Sequence, residues 1–541
     1  MHRVIVLDNI AAEGLQLLED SEGVEYEVRT GLAGDELREV LSQFDAAICR
    51  SGVKITADAL EGNQRLKAIA RAGVGTDNID KVSATKQGII VMNTPSGNTT
   101  STAEHAFALM LGLARNLAPA HQSLREGRWD RKAYMGSQLE GKTLGIVGMG
   151  RIGQEVARRA RVFGMRVMGF DPFMSEDRAR ELGIEPVANV ADMLPEIDFL
   201  TVHTPLTPET ENLIGEAEIE LMKPGTRLIN CARGGIYNEQ ALVAGLKSGK
   251  LGGVAMDVYA QEPCTDHDLF AETNALCTPH LGASTEEAQT LVAIEAVKLV
   301  LGFLTTGEIR HAVNASALDQ QTVAALRGEL NLAHRLGRFL SQWYATQPKR
   351  CVLTFRGDLA SADTRLLTAA FCTGLLETVT EGTVNTVNAE YLMKERGIEV
   401  VTESHSEGRA FSSSMRASIE SAGETISAGG TLFGNDMPRL IALNQYQLEA
   451  YLDGIMLIFT HQDVPGIIGS VGTIFGDHQV NIAQMSVGRA GAEPGGEAVG
   501  VLNLDSRPSA EAVAAVLDHS HIHQLRIIEL PAAGELPSWL T

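Results

Sequence analysis

Three glycines at the spacing G-x-G-x-x-G, Gly148, Gly150 and Gly153 in GMGRIG, are followed by a carboxylate, Asp171, at the end of the next apolar run. Their chemistry is anion binding. The first glycine permits a tight turn, the second lets backbone approach a pyrophosphate, and the third lets a helix pack closely on its strand. Amides at the helix start hold the anion. A carboxylate placed like Asp171 accepts bonds from both ribose hydroxyls and repels a 2′-phosphate, so the pattern predicts NAD rather than NADP. Farther on, Arg233 in INCARGGIYNE, Asp257 and Glu262 in MDVYAQEP, and His280 in TPHLGAST each follow a short apolar run. Hydride removal from a hydroxy acid needs a cation for the carboxylate and a base for the hydroxyl proton, and Arg233 and His280 are of those types.

Such groups work only if a strand, a turn, a helix and a second strand hold them. Gly141 to Pro172 supplies that series: an apolar strand at Leu144 to Val147, a helix with Ile152, Val156, Ala157 and Ala160 on one face, and a strand ending in Asp171. Earlier β-branched runs at Val4 to Leu7, Ala46 to Cys49, Ala68 to Ala70 and Ile89 to Met92 predict another parallel-sheet unit. Cofactor and substrate then occupy separate domains, with the reacting carbon in the cleft between them. From Ser101 a longer helix is predicted, with Ser101 and Glu104 as a capping box. Its Ala106, Phe107, Leu109, Met110, Leu113, Ala114 and Leu117 call for burial in a core or a subunit interface. Two further helices are predicted at Ala324 to Tyr344 and Leu359 to Leu376. The stretch Ile455 to Leu530 reads β-α-β-β-α-β, the ferredoxin-like order.

The 541 residues carry 45 Lys plus Arg against 68 Asp plus Glu, a net charge of −23 with pI near 5.1, and both halves share the excess. So acidic a chain repels phosphate backbones and anionic lipid, and neither nucleic acid nor membrane is expected as a partner. The six cysteines are far apart with no CxxC pair, which predicts no metal site and reduced thiols in an intracellular protein. The opening MHRVIVLDN is too short and too soon charged for a signal segment, so a cytoplasmic location is expected. His105, His121, His203 and His311 read as helical, surface or packing residues and are given no chemistry.

Seven segments carry a resemblance: RAGVGTDNID from Arg71, NTPSGNTTSTAEH from Asn93, WDRKAYMGSQLEGKTLGIVGMGRIG from Trp129, HTPLTPET from His203, LINCARGG from Leu228, AMDVYAQEP from Ala255 and TPHLGAST from Thr278. The chain resembles the D-isomer-specific 2-hydroxyacid dehydrogenases, in the long form with two extra C-terminal domains, over essentially its whole length. The resemblance implies that Arg233 anchors the substrate carboxylate, His280 is the general acid/base, and Glu262 orients it. It also implies that Thr76, Arg151, Ile152, Thr204, Cys231, Asp257, Gly282 and Ala283 surround the cofactor, with Asp257 beside the nicotinamide amide. The implied reaction takes 3-phospho-D-glycerate to 3-phosphohydroxypyruvate at the entry to L-serine biosynthesis. For the phosphate, the strand-end arginines Arg50 and Arg71 are candidates, and the resemblance lets Arg131 reach a neighbouring subunit's site. With Arg233, these arginines are expected to converge.

The tail from His461 resembles an ACT regulatory domain, in which His461, Asp463 and Asn481 are expected to bind L-serine with a neighbouring subunit. The implied fold is α/β: two Rossmann-like parallel-sheet domains, an α+β intervening domain and a C-terminal ferredoxin-like ACT domain. The expected division is 1–97 with 283–315 for substrate, 98–282 for NAD, 316–453 intervening and 454–541 ACT. A homo-oligomer, taken as a tetramer joined through the Ser101 helix and the tail, is expected. Two alternatives stay open: a dehydrogenase of another 2-hydroxy acid such as glycerate or 2-hydroxyglutarate, and a NAD-sensing, corepressor-like binding protein.

Overall fold

Strands that alternate with helices pair in parallel, because each crossover returns the chain to the same end of the sheet. The computed structural model describes residues 1–315, 320–343, 348–380, 384–407, 410–421, 424–491, 495–537 and 540, and contains two sheets of this kind. The first runs in the spatial order Val24–Val28, His2–Val6, Ala46–Cys49, Ala68–Arg71, Ile90–Asn93, all parallel. The second runs Ala275–Cys277, Leu251–Met256, Thr226–Asn230, Phe199–Val202, Thr143–Val147, Arg166–Phe170, Glu185–Pro186, again all parallel. The order of the second sheet reverses between Thr143–Val147 and Phe199–Val202, and such a reversal opens a ligand crevice at the carboxyl ends of the strands.

Two helices join the sheets. Helix Thr99–Ala114 leaves the first and lays Ala103, Ala106, Phe107, Met110 and Leu113 on Leu144, Ile146 and Ile229 of the second. Its apolar face is therefore buried within one chain, except that the helix ends at Ala114 and the expected Leu117 begins the next helix, exposed. The expected capping box does not form, because the helix begins two residues before Ser101. Ser101 Oγ instead meets Thr285 Oγ1 at 2.7 Å, and Glu104 pairs with Arg159 at 3.0 Å. Helix Glu286–Thr306 brings the chain back. It is long and apolar enough by length and composition to cross a membrane, but Val292, Ala296, Val297 and Val300 share a core with Val4, Ala46 and Ala68 of the first sheet.

The third sheet has the order Glu399–His405, Arg350–Gly357, Ser413–Ser421, Glu424–Phe433, Met437–Leu443, Tyr446–Tyr451, with only the first pair parallel. Helices Arg327–Trp343 and Thr364–Leu376 pack on it. The expected helix end at Tyr344 lies outside the described residues. The helix expected from Leu359 starts at Thr364, because Leu359 sits in the 3-10 turn Asp358–Ser361 and Asp363 caps the helix at its N-terminus. The fourth sheet, in the order Ile482–Arg489, Glu497–Leu504, Ile455–Gln462, Ile522–Glu529, is antiparallel throughout. With helices Ile467–Asp477 and Ala510–Leu517 it has the ferredoxin-like arrangement.

One buried side chain ties the last two units together. Arg335, 1% exposed, gives Nε to Asn331 Oδ1 at 2.9 Å, Nη1 to the carbonyls of Leu452 and Pro531 at 3.1 and 2.6 Å, and Nη2 to those of Ala532 and Glu535 at 2.9 and 2.7 Å. A helix of the third unit thus holds both the entry to the fourth unit and its exit. Arg335→Met would leave the Leu452 and Glu535 carbonyls without their donor, while those of Pro531 and Ala532 keep the Gly454 and Glu535 amides, at about 1–3 kcal/mol for each carbonyl that water cannot reach. We expect the variant to lose about 3 kcal/mol or more in denaturant unfolding, with faster hydrogen exchange across residues 452–454 and 531–535.

Candidate active site

The glycine turn forms for the reasons its spacing suggests. Gly148 has φ +91°, and a Cβ there would stand 2.6 Å from the His203 carbonyl oxygen; a Cβ on Gly153 would collide with the Gly148 oxygen. Gly150 differs, since a Cβ there would meet nothing within 4 Å. That open space faces the first turn of helix Arg151–Val162, which Gly150 begins without a capping side chain, leaving its amides to an anion. Asp171 is fixed beside the turn, accepting from the Met149 and Phe173 amides at 2.7 and 2.8 Å. Thr204 Oγ1 is buried without a partner among the described residues. Ile152 is half-buried, Thr76 is buried, and Arg151 reaches across to the Pro95 carbonyl at 3.3 Å. Turn, open amides, acid and an unsatisfied hydroxyl fit a dinucleotide.

At the other end of the crevice lies Asp257, fully buried. Burial pushes its carboxyl upward, but bonds from His105, Thr278 and the Leu281 amide hold it below its usual value. Gly282 N donates to its second oxygen at 2.8 Å, and Ala283 follows with its carbonyl taken by Gln289 at 2.7 Å. Beside it, burial first and Asp257 second keep the Cys231 thiol protonated well beyond the usual range. His105, Cys231 and Asp257 bring ligand-type atoms within 4.8 Å of one another, a grouping hidden from sequence spacing because its members are so distant in the chain.

His280 and Glu262 meet as an acid/base pair needs to. His280 is held in a left-handed conformation, φ 55°, by amide bonds to the Asp257 and Thr278 carbonyls at 2.8 and 3.1 Å. Its Nδ1 lies 2.7 Å from Glu262 Oε2, while Glu262 Oε1 accepts from the Tyr259 amide at 3.0 Å. Burial raises the Glu262 carboxyl, and these bonds, that of His280 the largest, bring it below its ordinary value. A carboxylate can only accept, so Nδ1 carries the proton and Nε2 is the ring nitrogen left for exchange. The ring is 49% exposed, open to a substrate.

Arg233 crosses between the two units. Its Nε donates to Asp77 Oδ2 at 3.0 Å, its Nη1 to the Ala232 carbonyl at 2.6 Å, and its Nη2 occupies the space that a Cβ on Gly75 would need. Arg71 is half-buried, with Nε shielded and unpartnered among the described residues. Burial weakens its hold on the proton, Arg233 and Arg50 add to this, and Cys49 and Asp77 oppose it. Arg50 follows the strand whose last residue, Cys49, pairs with Arg71, and Arg233 packs at Gly75, so both guanidinium groups lie near that of Arg71. Arg131 is not in this group: it stands exposed on the segment between helix Leu117–Arg125 and strand Thr143–Val147.

Comparison with known proteins gives the family. The model for the D-isomer specific 2-hydroxyacid dehydrogenase NAD binding domain matches residues 107–282, that for the D-3-phosphoglycerate dehydrogenase intervening domain 325–444, and that for the ACT domain 455–519. The D-3-phosphoglycerate dehydrogenase of Methanocaldococcus jannaschii is 40% identical over 98% of this chain and 100% of its own; that of Bacillus subtilis is 39% identical over the same shares. The chain belongs to the D-3-phosphoglycerate dehydrogenase family. Among solved structures, a glyoxylate reductase from Paecilomyes thermophila is similar over 58% of this chain and 98% of its own, with a TM-score of 0.53 at 30% identity. This member of the family is an NAD-dependent 2-hydroxyacid dehydrogenase.

In this dehydrogenase the ACT residues are not gathered within one chain. His461 pairs with Ala498 at one end of the sheet, whereas Ile482, next to Asn481, pairs with Leu504 at the other, some seven residues or about 23 Å away. Asp463 is ion-paired with Arg489 at 2.7 Å, and Asn481 donates to Asp505 at 2.6 Å. His461 is 2% exposed, with Nδ1 on the Gln462 carbonyl and Nε2 unpartnered among the described residues.

Two side chains at the catalytic site escaped the sequence reading, Asp77 and His105. Asp77 lies in the GVGTDN segment but has no local reason to face Arg233. His105 had a signal, an imidazole set into an otherwise apolar helix, which must find a polar partner when packed. His203, behind the glycine turn, has a buried Nδ1, and burial lowers its pKa to about 4. Neutral in the fold and titrating near 6.5 when unfolded, it adds stability that is complete above pH ~6.5 and lost as pH falls toward 4. Allowing for its partly exposed ring, we expect His203→Asn to remove about 2 kcal/mol of the stability difference between pH 7 and pH 4, measured by denaturant unfolding at both.

Proposed function

We propose that this dehydrogenase oxidises 3-phospho-D-glycerate to 3-phosphohydroxypyruvate as the entry to L-serine synthesis. The observation that carries this reading is the grouping of Arg50, Arg71 and Arg233 at the cleft of a chain whose net charge is −23. Cations packed against one another are stabilised by an anionic ligand, and a phosphate together with a carboxylate supplies one. In this reading Arg233, oriented by Asp77, holds the carboxylate. His280 takes the C2 hydroxyl proton at Nε2, and Glu262 stabilises the imidazolium that forms. Bound NAD, held by the Gly148 to Gly153 turn, Asp171 and Asp257, supplies the hydride acceptor. Thr76, Arg151, Ile152, Thr204, Cys231, Gly282 and Ala283 complete the cofactor's surroundings.

We further propose the domain division 1–97 with 283–315, 98–282, 316–453 and 454–541, a cytoplasmic location, and a homotetramer. Leu117, Leu124, Trp129 and Met135, exposed at 58, 55, 77 and 81%, support an oligomer contact on the segment that carries Arg131. A neighbouring chain docked there would bring Arg131 to a second site. The separation of Asp463 from Asn481 likewise supports an effector site shared between two ACT domains, with L-serine as effector.

NAD reduction with 3-phosphoglycerate, glycerate and 2-hydroxyglutarate tests the substrate, and fastest turnover at low concentration is expected with the first. Arg50→Ala should raise KM for 3-phosphoglycerate about tenfold, the loss of one charge-assisted contact, with kcat changed less than about threefold and KM for glycerate unchanged. Equal loss for both acids would reject the phosphate assignment. Serine titrated to millimolar levels should inhibit, and Asn481→Ala should blunt the response; a flat wild-type curve would remove the regulatory role.

A further inference from the structure

We infer that His105 is a positioning residue for the nicotinamide, acting through Asp257. This rests on the reading of Asp257 as the contact for the nicotinamide carboxamide. A fully buried carboxylate must be saturated with donors to remain ionised, and Asp257 is loaded unevenly. Oδ1 lies 2.6 Å from the Thr278 hydroxyl, which donates to it, 2.7 Å from the Leu281 amide and 3.2 Å from His105 Nε2; Oδ2 has the Gly282 amide at 2.8 Å. Three donors on one oxygen and one on the other set the plane of the carboxylate and leave acceptor capacity on Oδ2.

The Thr278 hydroxyl gives its proton to the bond with Asp257, so its oxygen is an acceptor for His105 Nε2, also at 3.2 Å. Both neighbours of Nε2 accept from it, so Nε2–H donates into the pair. The imidazole supplies the third donor to Oδ1 and keeps the threonine from rotating away. It can do so because helix Thr99–Ala114 is anchored to the same loop elsewhere: Ser101 meets Thr285 at 2.7 Å, and Thr102 donates to the Gly282 carbonyl at 3.1 Å. Ser101, Thr102 and His105 turn one face of the helix toward residues 278–285. The helix that links the two sheets thereby sets the acceptor that would meet the carboxamide amino group.

The test compares NAD with its 3-acetylpyridine analogue, whose methyl ketone lacks the carboxamide N–H donors. Dissociation constants are measured by calorimetry in the full-length protein, together with KM and kcat. The wild type is expected to bind NAD more tightly than the analogue. His105→Leu should weaken NAD about tenfold and the analogue less than about twofold, with KM for the acid unchanged. His105→Gln, which keeps an amide N–H at a similar reach, should recover most of the discrimination. If the leucine variant does not fold, His105→Asn, whose shorter amide falls short of Oδ1, takes its place. A His105 variant that keeps wild-type discrimination, or weakens both ligands equally, overturns the proposal and leaves the Asp257 reading intact. A wild type that binds both ligands equally overturns that reading and the proposal with it.

Discussion

The catalytic cleft depends on holding like charges together. Arg71 is partly desolvated, and Arg233 and Arg50 both act to push its proton off. In an acidic chain the arginines have carboxylates to hand, and this site uses few of them. Asp77 takes the Nε of Arg233, and the carboxylate of Asp8 binds the backbone of Arg50 rather than its guanidinium. The remaining guanidinium donors are held together by the fold, and in the proposed reading an anionic substrate would relieve the repulsion among them. Because Asp77 belongs to the first sheet's unit and Arg233 to the second's, that field exists only when both units are in place.

The cofactor side is built differently, with the Asp257 carboxylate satisfied by groups distant along the chain. Asp257 ends one strand and draws donors from the following loop and from the linking helix. Glu262 and His280 lie on separate loops yet share one hydrogen bond, and the backbone of His280 is pinned by carbonyls of Asp257 and Thr278. The His280–Glu262 pair, the Asp257 carboxylate and the helix between the sheets are thus mechanically one piece. A shift in the linking helix would be felt at Asp257 and His280 together.

The two C-terminal units join the same body through apolar packing and Arg335. One continuous buried cluster runs from Val4 and Ile48 of the first sheet through Leu336 and Phe371 to Ile458 and Ile528 of the last. Side-chain bonds also bridge the third and fourth sheets, from the Glu449 amide to Ser486 and from the Tyr451 amide to Gln484. A change at the ACT sheet has packed neighbours all the way to the first sheet, which is the physical requirement for coupling the two.

Much of this was legible in the chain because it is governed by local rules. Strand and helix alternation, the Gly148 to Gly153 turn and the acid at Asp171 each follow from the stereochemistry of a few consecutive residues. Arg233, Glu262 and His280 follow strand ends as their apolar flanks suggested, while the roles proposed for them came from the family resemblance. Local rules failed where long-range partners intervened. Ser101 gave up a capping role for Thr285, far along the chain, and the helix it sits in turned its apolar face to the second sheet. Asp77 and His105 gain their places only when the two sheets are brought together, and Arg335 only when the tail returns to it. The sequence by itself determined the elements and the kind of chemistry they could carry. Which carboxylate faces which cation, and which imidazole supports which acid, was decided only by tertiary structure, because those pairings depend on distances that no spacing along the chain encodes.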